Sequence, residues 1–399
     1  MADTQPLQAP APREAQAPRD LRTIRAEIDR TDRELIALLN RRAAASVEVA
    51  RIKRGHGNGL PTTSTYVPGR EQEVINNVLA ANAGPLTEAH VRTIYSEILS
   101  SSRALQRPLR IAFLGPTGTY TYRAAEAAAR VRFGSFVDYV PARTVEEVFT
   151  LTDRGEADYG VVPVENSTEG SVGQTLDTFI DSPLKICSEI LLLISHDLFG
   201  HGPLDGVTRV YSHPQALAQC RRWLTTSLPN AETVESSSTS AAAQRAASEP
   251  ESAAIGTEEA ALKNGLALLA RGIQDQAHNT TRFLLLGMQI AARSGNDKTA
   301  ILFSVRDRAG ALFDVLSVFA RRHINLTRIE SRPSRRQPWE YVFFVDLNGH
   351  PDDAAVAAAL DDVHAACTMV KVLGAWPVER RVDEQPRPTE ARGPRLEKE

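Results

Sequence analysis

A Pro- and Gly-free run from Asp20 to Arg54 carries Arg25, Arg42 and Lys53. If it is helical, eleven steps bring Lys53 back to within about 20° of Arg42, roughly 16 Å along the same face. Arg42 stands seven or fourteen residues from Ile28, Leu35 and Val49, on the stripe that should be buried. A buried guanidinium needs an acceptor: a structural carboxylate in the plain reading, an anionic ligand in the functional one. Arg25 lies about 25 Å from Arg42 and is rotated by roughly 100°, so the two cannot hold one small ligand from one helix. If Arg25 is a site residue, it serves a site in a second subunit. Only six of the 46 basic residues are lysine, and Lys53 is the single lysine before position 185. That isolation suggests a place where a compact ammonium does what a planar guanidinium cannot. Arg70 and Glu71 open a second helical pattern, and Ser102 and Gln106, four apart, share a face of a third.

Four other segments could do chemistry: GPTGTYT (115–121), VVPVENSTEG (161–170), YSHPQALAQC (211–220) and NTTRFLLLG (279–287). Glycine turns that open helices aim backbone N–H groups at anions. The first lacks the P-loop lysine and the dinucleotide spacing, so no nucleotide site is expected. His213 is either a proton relay or, beside Pro214, a structural strand-end residue. Cys187, Cys220 and Cys367, odd in number and widely spaced, exclude a disulfide framework and fit a reducing cytoplasm.

Three kinds of pattern must position these residues. Residues 1–19, rich in Pro, Ala and Gln, read as a disordered leader. The three-four spacing of apolar residues then gives one helix of about 50 Å, too long for a small local core. It must pair with other helices or another subunit. After a breaker run, Gly55–Gly69, helices over about 70–83 and 86–106 complete an all-helical unit over 20–107. Strands at 110–114, 160–164, 207–211 and 281–287 alternate with helices, which predicts α/β with largely parallel sheets over 108–292. The serines 236–240 read as a helix start. Following a hinge at 293–297, the order strand 300–305, helix 311–321, strand 325–332, strand 341–347, helix 353–366, strand 370–376 predicts a βαββαβ ferredoxin-like unit over 297–378. Residues 379–399 read as a disordered tail. A net charge of −3 and a pI near 6.3 give no case for nucleic acid or an anionic membrane surface. No apolar run approaches the roughly 20 residues of a membrane span.

The helical pattern of Arg25, Asp32, Arg42, VEVARIK ending at Lys53, Arg70-Glu71, Ser102 and Gln106 resembles the all-helical chorismate mutases. The resemblance implies an intertwined dimer in which Arg42 and the second subunit's Arg25 hold two carboxylates. Lys53 and Gln106 then donate to the ether oxygen while Arg70, Glu71 and Ser102 line the pocket. The four segments of the α/β region, in that order, resemble prephenate dehydratase, which implies a two-lobed, periplasmic-binding-protein-like fold with substrate between the lobes. By that resemblance Thr281 hydrogen-bonds the leaving hydroxyl and Arg282 anchors a carboxylate, with Thr119, Tyr120, Asn166, Ser167, Thr168 and Phe283 also binding substrate. A threonine hydroxyl is a poor acid, so Glu165 or a relayed water stays open as the proton source.

AGALF (309–313) and IESRP (329–333) resemble the ACT amino-acid-binding domain. Ala309, Gly310, Ala311, Leu312, Glu330, Ser331, Arg332 and Pro333 are then the effector site, with phenylalanine the expected ligand. The unit should be separable at about residue 297. The whole chain is thus similar to the bifunctional chorismate mutase–prephenate dehydratase family. The expectation is a cytoplasmic enzyme without cofactor or metal, acting on chorismate and prephenate as a homodimer, with tetramers left open. Two alternatives stay open: an arogenate-preferring dehydratase whose helices only dimerise, and a non-catalytic sensor of aromatic metabolites.

Overall fold

The computed structural model describes residues 20–55, 66, 68–276, 278–334 and 340–378. The expected leader and tail, and most of the breaker run after Gly55, lie outside the described residues. The Pro- and Gly-free run forms α1 (Leu21–Gly55), followed by α2 (Pro68–Ala81) and α3 (Glu88–Ala104). Thr87 starts α3 by accepting the His90 N–H at 3.3 Å. The stripe of α1 is not covered within one chain. Ile28, Leu35, Leu38 and Val49 are all exposed, and Arg42 is half-buried.

Next come β1 (Leu109–Leu114), α4 (Tyr120–Arg132), β2 (Val137–Ala142), α5 (Val145–Asp153), β3 (Tyr159–Asn166), β4 (Gly170–Ser171), α6 (Gly173–Asp181) and β5 (Lys185–Leu193). The second lobe holds β6 (Asp197–Gly200), β7 (Arg209–Ser212), α7 (Pro214–Gln219), α8 (Arg221–Ser227), β8 (Glu232–Glu235), α9 (Thr239–Ser248), β9 (Ser252–Gly256), α10 (Glu258–Lys263) and β10 (Ala267–Ala270). The chain then returns to the first lobe as β11 (Thr280–Gly287). Ser238 caps α9 by accepting the Ala241 N–H at 3.0 Å, so the serine run is a helix start as expected. His213 caps α7, accepting the Gln215 N–H at 3.3 Å, which is the structural reading of that histidine.

The last unit is β12 (Asp297–Ser304), α11 (Ala311–Arg321), β13 (Leu326–Pro333), β14 (Tyr341–Asn348), α12 (Ala354–Ala366) and β15 (Met369–Pro377), the βαββαβ order expected. Its strands do not form a sheet of their own. One ten-stranded sheet runs β13-β14-β12-β15-β5-β11-β3-β1-β2, with β4 on β3, and the second lobe has a five-stranded sheet, β10-β6-β9-β7-β8. The join is the parallel pair Gly374–Ile186, where a Cβ on Gly374 would lie 2.2 Å from the Ile186 carbonyl oxygen. Only glycine permits that approach.

The largely parallel reading holds for β2-β1-β3 and for β8-β7-β9. It fails where the chain crosses back, because β11 is antiparallel to both β3 and β5 and β6 is antiparallel to β9 and β10. One face of the long sheet packs on α4, through Phe113, Ala125, Phe283 and Leu285. The other face forms a core shared with the last unit, in which Val162, Leu284 and Phe179 meet Ala300, Leu302, Phe344 and Trp376. The unit expected to be separable at 297 therefore shares its hydrophobic core with the first lobe. Sequence spacing does not reveal this, since a strand buried on both faces looks the same whichever unit covers it.

Candidate active sites

On the helices, Arg42 Nη1 donates to Ser102 Oγ at 2.5 Å, and Ser102 Oγ donates to the Ile98 carbonyl at 2.7 Å. Gln106 Nε2 reaches the Ser102 carbonyl at 3.3 Å. The structure thus gathers Arg42, Ser102 and Gln106 where α1 crosses α3. Lys53 lies on α1, but its side chain is outside the described residues. Arg25 is exposed near the other end of α1, away from this cluster. Arg70 pairs with Glu73 at 2.6 Å on the surface. Glu71 Oε1 is taken by Arg103, a buried guanidinium that also donates to the Phe133 carbonyl and stacks over the Tyr66 ring. Within one chain, Glu71 therefore fastens the helices to the α/β body.

Between the lobes, Thr281 Oγ1 accepts from Asn166 Nδ2 at 2.8 Å. That bond leaves the threonine proton free to donate, and no acceptor takes it among the described residues. Asn166 is fully used: Nδ2 also donates to Asn279 Oδ1 at 2.8 Å, and Oδ1 accepts from the Thr168 N–H, Thr168 Oγ1 and the Glu169 N–H. It orients Thr281 and shapes the 166–169 loop. Ser167 locks the loop onto β11, its Oγ accepting the Thr280 N–H at 2.9 Å. Thr119 caps α4, and its hydroxyl donates to the Pro116 carbonyl at 3.0 Å.

Several residues that sequence reasoning missed extend this network. Asn279 Nδ2 donates to Gln219 Oε1 at 3.0 Å, and the same oxygen lies 2.7 Å from His196 Nε2. Gln219 Oε1 can only accept, so Nε2 carries the imidazole proton; the Tyr120 hydroxyl, whose one proton goes to the Ser195 carbonyl, lies 3.1 Å from Nδ1. Burial lowers the His196 pKa and raises that of Tyr120, keeping both neutral. Glu169 bridges the lobes, accepting from Gln215 Nε2 at 2.5 Å and Gln219 Nε2 at 2.8 Å. The i,i+4 spacing of Gln215 and Gln219 was the signal available for these.

Three expected dehydratase residues lie elsewhere: strand alternation turns Arg282 away, a bulge turns Glu165 away, and Phe283 is buried beneath the site. Arg282 points away from Thr281. Its Nε donates to Glu189 at 2.8 Å and its Nη1 to Asp346 at 2.6 Å, on the side of the sheet away from the Thr281 hydroxyl. Glu165, turned to the same side by a bulge opposite Arg282 and Phe283, pairs with Arg328 Nε at 3.1 Å. Phe283 does share the Thr281 side but is 2% exposed, in the core beneath the site.

The same alternation divides the expected effector residues. Gly310, at φ +80°, starts α11 between Ala309 and Ala311, and Leu312 packs onto the core. Ser331, opposite Phe343, shares the α11 face, as does Pro333 two residues on. Glu330 and Arg332 face the first lobe instead. Glu330 meets Ser171 and Arg328, and Arg332 pairs with both Asp177 oxygens at 2.7 and 3.1 Å. Among the described residues no group of three or more His, Cys, Asp and Glu side chains could hold a metal ion, and no helix is long and apolar enough to cross a membrane.

Family models match in three consecutive blocks: chorismate mutase type II over 24–107, prephenate dehydratase over 111–291 and the ACT domain over 299–365. A bifunctional chorismate mutase/prephenate dehydratase of Stutzerimonas stutzeri is 42% identical over 359 residues, covering 90% of this chain and 97% of the relative. One of Aquifex aeolicus is 41% identical over 363 residues, covering 90% and 98%. Among solved structures, a prephenate dehydratase of Arthrobacter aurescens in complex with L-Phe superposes with a TM-score of 0.62 at 36% identity, covering 70% of this chain and 92% of that one. The order of the three blocks, the identity across nearly the whole length and the two-lobed fold agree: the chain belongs to the bifunctional chorismate mutase/prephenate dehydratase family.

Proposed function

We propose that the functional divisions are a mutase over 20–107, a dehydratase over 108–292 and an effector unit over 297–378, each with its own site. The chain converts chorismate to prephenate and prephenate to phenylpyruvate. The first reaction breaks an ether C–O bond and forms a C–C bond within one molecule, so it needs no proton shuttle. It needs a folded conformer and donors for the charge that builds on the ether oxygen. Arg42, beside Ser102 and Gln106, takes one carboxylate. Lys53 and Gln106 serve the ether oxygen, with Arg70 on the rim and Arg25 of a second copy completing the pocket. The uncovered stripe on α1 supports that homodimer.

In the second reaction the ring carboxylate leaves as carbon dioxide and its electron pair enters the ring. The C4 hydroxyl departs with one proton as water. Thr281 donates a hydrogen bond to that hydroxyl, and a relayed water supplies the net proton. Asn166 fixes the rotamer of Thr281, and this hydrogen bond is the observation that carries the site assignment. Phenylalanine binds the effector unit around Gly310 and Ser331. The L-Phe complex of the Arthrobacter relative supports this, as does the open space around Gly310. The chain works in the cytoplasm, without nucleic acid or membrane as a partner.

Purified protein given chorismate should consume it and release phenylpyruvate, with phenylalanine slowing the second step. Loss of chorismate with no phenylpyruvate, even when prephenate is supplied, would overturn the dehydratase reading.

A further inference from the structure

The residues that turned away from their expected sites meet one another. Arg282, neighbour of Thr281, and Glu165, neighbour of Asn166, both project onto the back of the sheet. Glu330, next to Ser331, and Arg328, two residues earlier on the strand, project toward them from the last unit. Arg282 is held by Glu189 and by Asp346 of β14, and Glu189 is held in turn by Lys298 of β12 at 2.6 Å. Arg328 reaches Glu165 at 3.1 Å and Ser171 Oγ at 2.8 Å. Side-chain exposure is 12% for Arg282, 4% for Glu189, 7% for Asp346 and 11% for Arg328, while Glu165, at 38%, forms the open edge of the cluster. The gap among Arg282, Arg328, Asp346 and their apolar neighbours is about 10 Å³, enough for roughly one water and far too small for a substrate.

We propose that this buried ion-pair cluster is the joint through which the effector unit and the dehydratase site sense each other, and that Arg282 and Glu165 are positioning residues for Thr281 and Asn166. The inference rests on the two sites assigned above. Both members of the Thr281–Asn166 pair have a neighbour clamped by the last unit. The face of β13 opposite the clamp carries Ser331. An effector that moves β13 or β14 must therefore either carry Arg282 and Glu165 along or break their ion pairs. Packed interfaces of this kind have discrete arrangements and do not deform smoothly, so a small shift at the effector face becomes a change of state at Thr281. Any part of the coupling that changes prephenate affinity is reciprocal and weakens effector binding by the same factor, whereas a part that acts on kcat carries no such reciprocity.

The test uses the full chain and reads prephenate turnover with and without phenylalanine. Asp346→Asn, which keeps the shape and removes the charge, should leave the prephenate KM within about threefold and raise the half-inhibiting phenylalanine concentration about tenfold or more. Arg282→Met should lower kcat with little change in KM, and Arg282→Lys should restore part of the loss. A substrate anchor would do the opposite. An Arg282→Met KM rise of fifty-fold or more, with inhibition intact, overturns the proposal. So does an unchanged phenylalanine response in Asp346→Asn. Should Asp346→Asn fail to fold, Arg328→Gln tests the outer half of the joint by the same two readouts. Trp376, fully buried with its ring 5.8 Å from the Arg282 guanidinium carbon, gives a further readout. Its emission should change on phenylalanine addition in the native chain and not in Asp346→Asn. A native chain that turns over prephenate yet ignores phenylalanine would overturn the effector reading itself, and the kcat-against-KM split of Arg282→Met would still decide the role of Arg282.

Discussion

The helical unit and the α/β body meet water in opposite ways. On α1, Leu21, Ile24, Ile28, Leu35, Ile36, Leu38, Val47, Val49 and Ile52 are all exposed, whereas the interior strands of the body bury nearly every apolar side chain. A helix of 35 residues outruns anything α2 and α3, at 14 and 17 residues, can cover. Each large side chain that a second copy covers adds roughly 1.5–3 kcal/mol. The body closes its own core, and it does so by letting the first lobe and the last unit share it. One half of the molecule is thus unfinished as a monomer and the other is over-connected within itself.

The largest effects should separate the two halves by chemistry. Lys53→Ala removes a charge-assisted donor to the mutase transition state, a loss on the order of 10²–10³-fold. Dehydratase turnover of added prephenate should hardly change. Thr281→Ala should do the reverse, so that prephenate accumulates from chorismate. A mutase rate within tenfold of the native chain for Lys53→Ala would remove that lysine from the site.

Truncation sharpens the comparison next. Removing residues 1–107 takes away a unit that touches the body along one seam, through Arg103 on Phe133, Tyr66 on Phe133 and Tyr159, Glu97 on Ser135, Ser100 on Phe136 and Arg107 on Asp158. The remaining chain should fold and keep its phenylalanine response. Removing residues from 297 onward exposes Val162, Leu284 and the rest of the shared core, and leaves Arg282 and Glu189 without Asp346 and Lys298. That chain should be insoluble or inactive. Cooperative unfolding of a soluble 1–296 fragment would show that the shared core is dispensable.

Subunit mixing tests the unfinished half. Arg25→Ala and Lys53→Ala chains, each impaired as a mutase, should regain part of the activity once exchanged, because a mixed dimer can form one site free of both changes. Ile28→Glu with Leu35→Glu should shift the helical unit to monomer in sedimentation and lower mutase activity while sparing prephenate turnover. No recovery after verified exchange would place Arg25 outside the mutase site.

Much of this was legible in the chain. The three-four spacing marked α1, whose observed bounds differ by a residue from the Pro- and Gly-free run. The serine run 236–240 marked a helix start, which Ser238 caps. What could not be read is which side of a strand faces which partner. TRF reads as one motif, yet Thr281 faces the cleft, Arg282 the joint and Phe283 the core. The pleat assigns alternate residues to opposite faces, but the covering residues lie far off in sequence, Asp346 by 64 positions and Asn166 by 115. Lysine scarcity was a better clue than its use for Lys53 alone suggests. Lys185, Lys298 and Lys371 all sit at the joint, where Lys185 reaches the Val372 carbonyl at 2.6 Å and Lys371 the Phe179 carbonyl at 2.8 Å. A compact ammonium fits among carbonyls that a planar fork would push apart.

The smallest effect concerns pH and again belongs to the body alone. His196 is 2% exposed between Tyr120 and Gln219, and burial lowers its pKa from the ordinary 6.5, against the Gln219 hydrogen bond and the Asp197 charge. With the folded value below the unfolded one, the unfolded chain binds more protons in the window between them. The contribution of His196 is therefore full above about pH 6.5 and declines as pH falls below it, by at most about 1.4 kcal/mol per pH unit for one proton. Glu189, which burial alone would raise but which Arg282 and Lys298 hold below the usual carboxylate range, acts with the same sign at lower pH. Comparing the native chain with His196→Gln cancels such terms. Denaturant midpoints measured from about pH 7.5 down to 5 should fall less steeply for His196→Gln. A helical unit alone should show no such difference, since it lacks the residue. Equal slopes for the two full-length chains would mean that His196 titrates alike in the folded and unfolded chain, and the buried neutral imidazole between Tyr120 and Gln219 would then be wrong.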